Sequence, residues 1–245
     1  MSFILKIAAA CLPVFIISCG TNLQPQESGS VTITSPDCGE TYVAGKNIDI
    51  TWTETGIANV DRFVISFSGD TGSSWTEIGR VDPGIMSFSF VPTAEQTGDL
   101  CCIRVAGTGG SVSDHSGIVF SIVSPNVKFL QSCGTATAAI DLLYPEGGDT
   151  FKVGDVVQIK YAISDDFQYA RVIAEISANG GRMPPASIME KAVYPPARTF
   201  LWTIPQTITS GTMTISLPGQ NYFRIRDYAG NQISPDMKIP VTILP

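Results

Sequence analysis

Along most of the chain, apolar and polar residues alternate with a period of two in runs of five to eight residues. Ile48, Ile50 and Trp52 fall on one face of such a run, with Asp49 and Thr51 on the other; Val157, Ile159 and Tyr161 repeat the pattern. Phe63, Ile65 and Phe67 alternate in the same way with Val64, Ser66 and Ser68. Successive side chains of an extended strand point to opposite faces, so these runs predict strands with one face buried. Between them lie clusters of Gly, Pro, Asp and Asn, among them Gly69-Asp70-Thr71-Gly72, which turns the chain back toward Trp75.

The runs occur in two sets. Pro36 and Pro145 lie 109 residues apart, and from there PDCGETYVAGKNIDITW matches PEGGDTFKVGDVVQIKY without a gap, as RFVISFS at 62–68 then matches RVIAEIS at 171–177. Phe90-Val91-Pro92 corresponds to Thr203-Ile204-Pro205. Repetition at a fixed spacing marks a duplicated structural unit. About seven short strands per unit, spaced near ten residues and divided by turn-formers, predict an antiparallel two-sheet sandwich. The expected fold is all-β: two tandem immunoglobulin/fibronectin-III-like sandwiches, at 30–123 and 140–245, after a cleaved signal peptide. Residues 124–139, SPNVKFLQSCGTATAA, lack alternation and are expected to join them.

Composition sharpens this picture. The 23 Gly and 16 Pro disfavour long helices. Charged residues make up 15% of the chain, against roughly 25% in an average soluble domain. A net charge of -7 provides no basic footprint for a phosphate backbone, so nucleic acid is excluded as a partner.

The N-terminus reads MSFILKIAAACLPVFIISCG. One Lys precedes an apolar run from Ile7 to Ile17, well short of the roughly 20 residues that cross a bilayer as a helix, and Pro13 interrupts it. This is a signal-peptide h-region. Ile16-Ile17-Ser18-Cys19 resembles the lipobox of bacterial lipoproteins. The resemblance implies removal of residues 1–18, a diacylglyceryl group on the Cys19 thiol, and acylation, such as by palmitate, of the new amino group. Several acyl chains suffice for stable anchoring where one is marginal. Gly20 is unlike the Asp that retains such proteins in the inner membrane, which points to the outer membrane and leaves the leaflet open. The remaining alternative is ordinary cleavage with Cys19 a bystander. Residues 19–29 then form a polar tether.

PxxGETYxAG at the opening of the first unit, the Trp of IDITW, SGDTGSSW at 68–75 and SDHSGIVFSI at 113–122 together resemble the Ser/Thr-rich Ig-like repeat of bacterial surface and secreted proteins, related to a fungal cell-wall family implicated in beta-glucan assembly. The first copy matches over most of its length; the second matches through Gly181, diverges, and returns with FLWTIP and YFRIRDYAGN. The resemblance implies an extracytoplasmic interaction or spacer module and brings no catalytic residues with it.

Chemistry is sparse. His115, the single histidine, sits in Ser113-Asp114-His115-Ser116, where consecutive residues of an extended chain point apart and cannot converge as a triad. Asp61, Asp70, Asp165 and Asp166 lack the spacing of a calcium loop, so neither metal nor cofactor is expected. Beyond Cys19, the chain downstream of the leader holds Cys38, Cys101, Cys102 and Cys133. In a sandwich, Cys38, the Cys101-Cys102 pair and Cys133 fall at one end. Alternation turns Cys101 inward with Ile103 and Val105, leaving Cys38 to pair with Cys102 or with Cys133. The second unit has Gly147 in place of Cys38, so the bond is not required by the fold.

Partner contact is expected on the segment where the second unit departs from the first, 182–199, with Met183, Met189 and Tyr194 as candidate binding residues; an edge hairpin that merely covers the sheet is the alternative. Tyr169, Trp202, Tyr222 and Tyr228 are candidates for a platform that stacks on sugar rings. The expected function is that of a non-catalytic cell-envelope lipoprotein, held to the membrane by its N-terminal lipid, that engages an envelope protein or polysaccharide. A polysaccharide-binding module comes second and a surface hydrolase third.

Overall fold

The structure is a computed structural model that describes residues 29–245 except 58, 110–111, 165–166, 168–170, 183–184, 193–197 and 231–232. The regular structure among its described residues is strand throughout, apart from one short 3-10 turn at Ala94–Gln96. The first unit contains β1 (Ser30–Ser35), β2 (Thr41–Val43), β3 (Ile48–Thr55), β4 (Arg62–Ser68), β5 (Thr76–Val81), β6 (Ser87–Phe90), β7 (Gly98–Thr108), β8 (Ser113–His115) and β9 (Phe120–Val123). One sheet has the order β1-β3-β6; the other runs β2-β9-β7-β4-β5, with β8 also paired to β7.

The second unit follows with β10 (Val127–Lys128), β11 (Ile140–Tyr144), β12 (Thr150–Lys152), β13 (Val156–Ile163), β14 (Arg171–Ser177), β15 (Ala186–Ala192), β16 (Thr199–Thr203), β17 (Thr207–Ser210), β18 (Met213–Ser216), β19 (Gly219–Asp227) and β20 (Val241–Leu244). Here β13 pairs with β10, β11 and β16, the second sheet runs β12-β20-β19-β14-β15, and β17-β18 is a separate hairpin. These are two immunoglobulin/fibronectin-III-like sandwiches.

The duplication extends to irregularities. Pairing shifts register between Ile33 and Ser35, opposite Trp52 and Thr51, and between Leu142 and Tyr144, opposite Tyr161 and Lys160. The short strands β2 and β12 run parallel to the last strand of their own unit. Each unit has its own core. In the first, Ile48, Ile50, Trp52, Phe63, Ile65, Ile103 and Val105 close on one another; in the second, Val157, Ile159, Tyr161, Val172, Phe200, Phe223 and Ile225 do so. Aromatic rings meet across both cores, Trp52 with Phe63 at 6.2 Å between centroids and Tyr161 with Phe200 at 5.4 Å.

One expectation needs correction. Alternation predicts an open outer face on β13, yet Gln158 and Lys160 are 0% and 2% exposed. The cause lies in the segment between the units and in the first unit itself. Val127 and Lys128 add to β13 as a parallel strand, the chain that follows meets Lys160 through the carbonyls of Leu130 and Ser132, and Thr41 of the first unit meets Gln158. Residues 124–139 are therefore partly built into the second sandwich.

Candidate functional site

The features that distinguish this chain from two beads on a string lie where the sandwiches meet. Cys38 sits in the turn between β1 and β2. Glu40 fastens that turn by accepting the N–H groups of Asp37 and Cys38 at 3.2 and 3.0 Å, and Asp37 in turn accepts the N–H of Gly117. Cys38 is disulfide-bonded to Cys133, with 5.6 Å between the Cα atoms. Of the two pairings left open by the sequence, the structure contains the one with Cys133. Cys102 is unpaired because it lies on the outer face of β7, 4% exposed beside Val119, Trp75 and Leu100. Cys101 is a fully buried member of the first core, and desolvation pushes its thiol up to about 12, which makes it inert as a nucleophile.

Just before Cys133, the connecting segment is gripped from both sides. The carbonyl of Gln131 accepts the Thr41 N–H at 3.0 Å, on the first sandwich. The carbonyls of Ser132 and Leu130 accept the Lys160 ammonium at 2.7 and 3.4 Å, on the second. Direct bridges also join the sandwiches: Thr41 Oγ1 donates to Gln158 Oε1 at 2.9 Å, and the hydroxyls of Ser121 and Thr199 lie 3.3 Å apart. All four of these residues are buried. The joint is thus polar and directional, unlike an apolar contact that tolerates sliding. Alongside it runs a cleft of about 460 Å³ lined in part by Cys38, Ile118, Gly134, Lys160, Tyr161 and Arg198.

Burial pushes Lys160 down to about 8, with Glu40 pulling it partly back up. An unfolded lysine titrates near 10.4, so between these values the unfolded chain binds more protons, and stability contributed at Lys160 rises with pH. A pH series of denaturation midpoints should therefore show wild type gaining on the Lys160→Met variant as pH climbs from about 8 to about 10. A constant difference across that range would show that folding does not lower the Lys160 pKa.

The other candidate residues are dispersed. In the SDHS segment, Asp114 Oδ2 accepts the Ile33 N–H at 2.8 Å and Ser116 Oγ accepts the Ile103 N–H at 3.1 Å, while His115 is exposed on β8. Met183 and Tyr194 lie outside the described residues. Met189 belongs to β15, the edge strand, where it faces Ala174 in register; the diverging segment thus contributes a strand that covers the sheet edge. Trp202 is a core residue packed at 5.8 Å on Phe223, Tyr222 is half-buried, Tyr228 is exposed in a turn, and Tyr169 lies outside the described residues, as do Asp165 and Asp166. Cys19 also falls outside them.

Sequence reasoning missed Thr41, Gln158 and Lys160 as joint residues. Each occupies an outward position of a strand, and only knowledge of what lies over that strand separates a joint residue from a solvated one.

No family model matches the chain, and no curated protein matches it. Among solved structures, fibronectin(III)-like modules of CbhA from Clostridium thermocellum share 16% identity over 87% of this chain and 94% of theirs, with a TM-score of 0.29. Dimeric latent PorU from Porphyromonas gingivalis shares 15% over 89% of this chain and 20% of its own, with a TM-score of 0.29. A marsupial T cell receptor shares 12% over 84% of this chain and 71% of its own, with a TM-score of 0.27. No statement about function rests on these likenesses.

Proposed function

We propose that the chain is a non-catalytic lipoprotein of the cell envelope, a stiff two-sandwich arm held on a lipid tether that presents its surfaces to another envelope protein or a polysaccharide. The observation that carries this reading is the joint. A disulfide and a ladder of buried polar contacts between domains have no catalytic use, whereas they serve a module that must hold two bodies at a fixed spacing. A disulfide persists in oxidising compartments outside the cytosol, in keeping with the signal-peptide pattern of residues 1–18 and the lipobox-like sequence ending at Cys19. The engagement of Asp114 and Ser116 in separate structural bonds, with His115 exposed beside them, also supports a non-catalytic role.

The test is made on whole cells that express the full chain. Wild type should fractionate with membranes and yield an N-terminal peptide beginning at a Cys19 that carries the mass of a diacylglyceryl group. The Cys19→Ser variant should lose that modification and no longer be held by detergent-extractable membrane. Recovery of wild type with an unmodified Cys19, or cleaved elsewhere, would refute the anchored reading.

A further inference from the structure

The two sandwiches carry corresponding outer-face rows of residues in which the glutamate and the serine have exchanged strands. In the second, Glu175 on β14 stands between Ser187 on β15 and Arg224 on β19. It is 5% exposed, and its oxygens accept Nε of Arg224 and Nε of Arg226, both at 2.7 Å. In the first, Ser66 on β4 stands between Glu77 on β5 and Arg104 on β7, and His115 on β8 follows. Ser66 and Glu175 are equivalent by structure as well as by sequence, since the β4-β5 register shifts just before Ser66 and the β14-β15 register just before Glu175. Arg104 therefore occupies the place of Arg224.

The first sandwich has kept the guanidinium, but its acid stands on β5 instead of on the middle strand. That acid, Glu77, does not take the part of Glu175, because both its oxygens are held by Arg80 at 2.8 and 2.9 Å. Arg104 Nε is buried and makes no hydrogen bond. The guanidinium instead lies 4.5 Å from the ring centre of Trp75. That ring is itself fixed. Asp70, at the head of the turn, accepts Ser68 and Ser74 hydroxyls and the Ser74 N–H at 2.6 to 2.8 Å. Gly72, at φ +83, leaves the space that a Cβ 3.0 Å from the ring would take. An arginine stacked on a fixed ring has lost its side-chain freedom in advance, so an incoming acceptor gains from pre-organisation.

We propose that Arg104, with Ser66 and His115 beside it and Trp75 beneath it, is a receptor for one glutamyl or aspartyl carboxylate of a partner protein. Glu175 is the internal template: it demonstrates that this row accepts a carboxylate on a short flexible stem at hydrogen-bond distance from Nε. A single acid is favoured over a polyanion because the chain carries a net charge of -7. Arg104 is half-buried as a residue, so part of its side chain remains reachable although Nε itself is covered. This inference is independent of the lipid tether and of the membrane in which the protein sits.

The test is a side-chain nitrogen–proton NMR titration of the full mature chain, reading the Arg104 Nε–H resonance. N-acetyl-glutamate N-methylamide should shift it in a saturable way at millimolar concentration, while N-acetyl-glutamine N-methylamide should not. In the Ser66→Glu variant the resonance should start at the shifted position and cease to respond. In the Glu175→Ser variant of the other sandwich, the Arg224 resonance should acquire the response, which keeps the test decisive should Ser66→Glu fail to fold. Equal responses to the acid and its amide, or an undiminished response in Ser66→Glu, would overturn the proposal. A stronger response to glucuronate than to the glutamate analogue would overturn the assignment to a protein partner in favour of an acidic sugar.

Discussion

Replacing Cys38 and Cys133 together by serine should destabilise the first sandwich by about 4 kcal/mol, the scale expected when a crosslink closes a loop near 100 residues long. The sequence separation here is 95. The loop contains β2 to β9 of the first unit, so the unfolded state of that unit is what the bond restricts. A second consequence follows at the joint. Cys133 immediately follows the carbonyls that hold Lys160, and freeing it lets the segment detach from both sandwiches. Urea denaturation should show the first transition moved to lower concentration, and small-angle scattering in native buffer should show a broader distribution of spacings between the two bodies. Unchanged scattering would mean that the polar contacts hold the joint without the bond.

Phe63→Ala should cost about 3–5 kcal/mol, as truncation of a fully buried aromatic does when its surroundings cannot collapse into the cavity. Phe63 is 0% exposed and packs against Trp52 in the first core. Because the second sandwich has its own core, built around Tyr161 and Phe200, the loss should fall on the first unfolding step and leave the second within a few tenths of a kcal/mol. Calorimetry of wild type and variant separates the two steps. A single transition shifted as a whole would show that the two cores unfold as one.

The strands themselves were legible because each unit has one apolar face. Phe63, Ile65 and Phe67, and likewise Val157, Ile159 and Tyr161, turn inward as their alternation requires. The 109-residue repeat announced two bodies, and the structure reproduces it in the register shifts opposite Trp52 and Tyr161. Outer faces were not legible in the same way. Ser66 and Ser68 alternate with the core residues of β4 and read as solvated, yet they are 3% and 2% exposed on the sheet face where Cys102 and Trp75 also pack. Lys160 is met by a segment with no periodicity of its own and Gln158 by Thr41 of the other unit, so nothing in the local pattern of β13 marks them. The correspondence of Arg104 with Arg224 was hidden for another reason. The extra residues after Gly181 change the offset between the units from 109 to 120, and a match sought at one spacing passes over it. For the cysteines, alternation placed Cys101 correctly in the core, whereas choosing between Cys102 and Cys133 as partner of Cys38 depended on the path of the connecting segment.

That choice can be measured directly. Trypsin places Cys38 in the peptide that ends at Lys46, Cys133 in Phe129–Lys152, and Cys101 with Cys102 in Val81–Arg104. Digestion of the unreduced protein, alkylated first under native conditions and then after unfolding, should yield the first two peptides joined by a disulfide, and the third labelled only after unfolding. A crosslink between the Lys46 peptide and Val81–Arg104, or free thiols at both Cys38 and Cys133, would contradict the clamped joint on which the stiff two-sandwich arm depends.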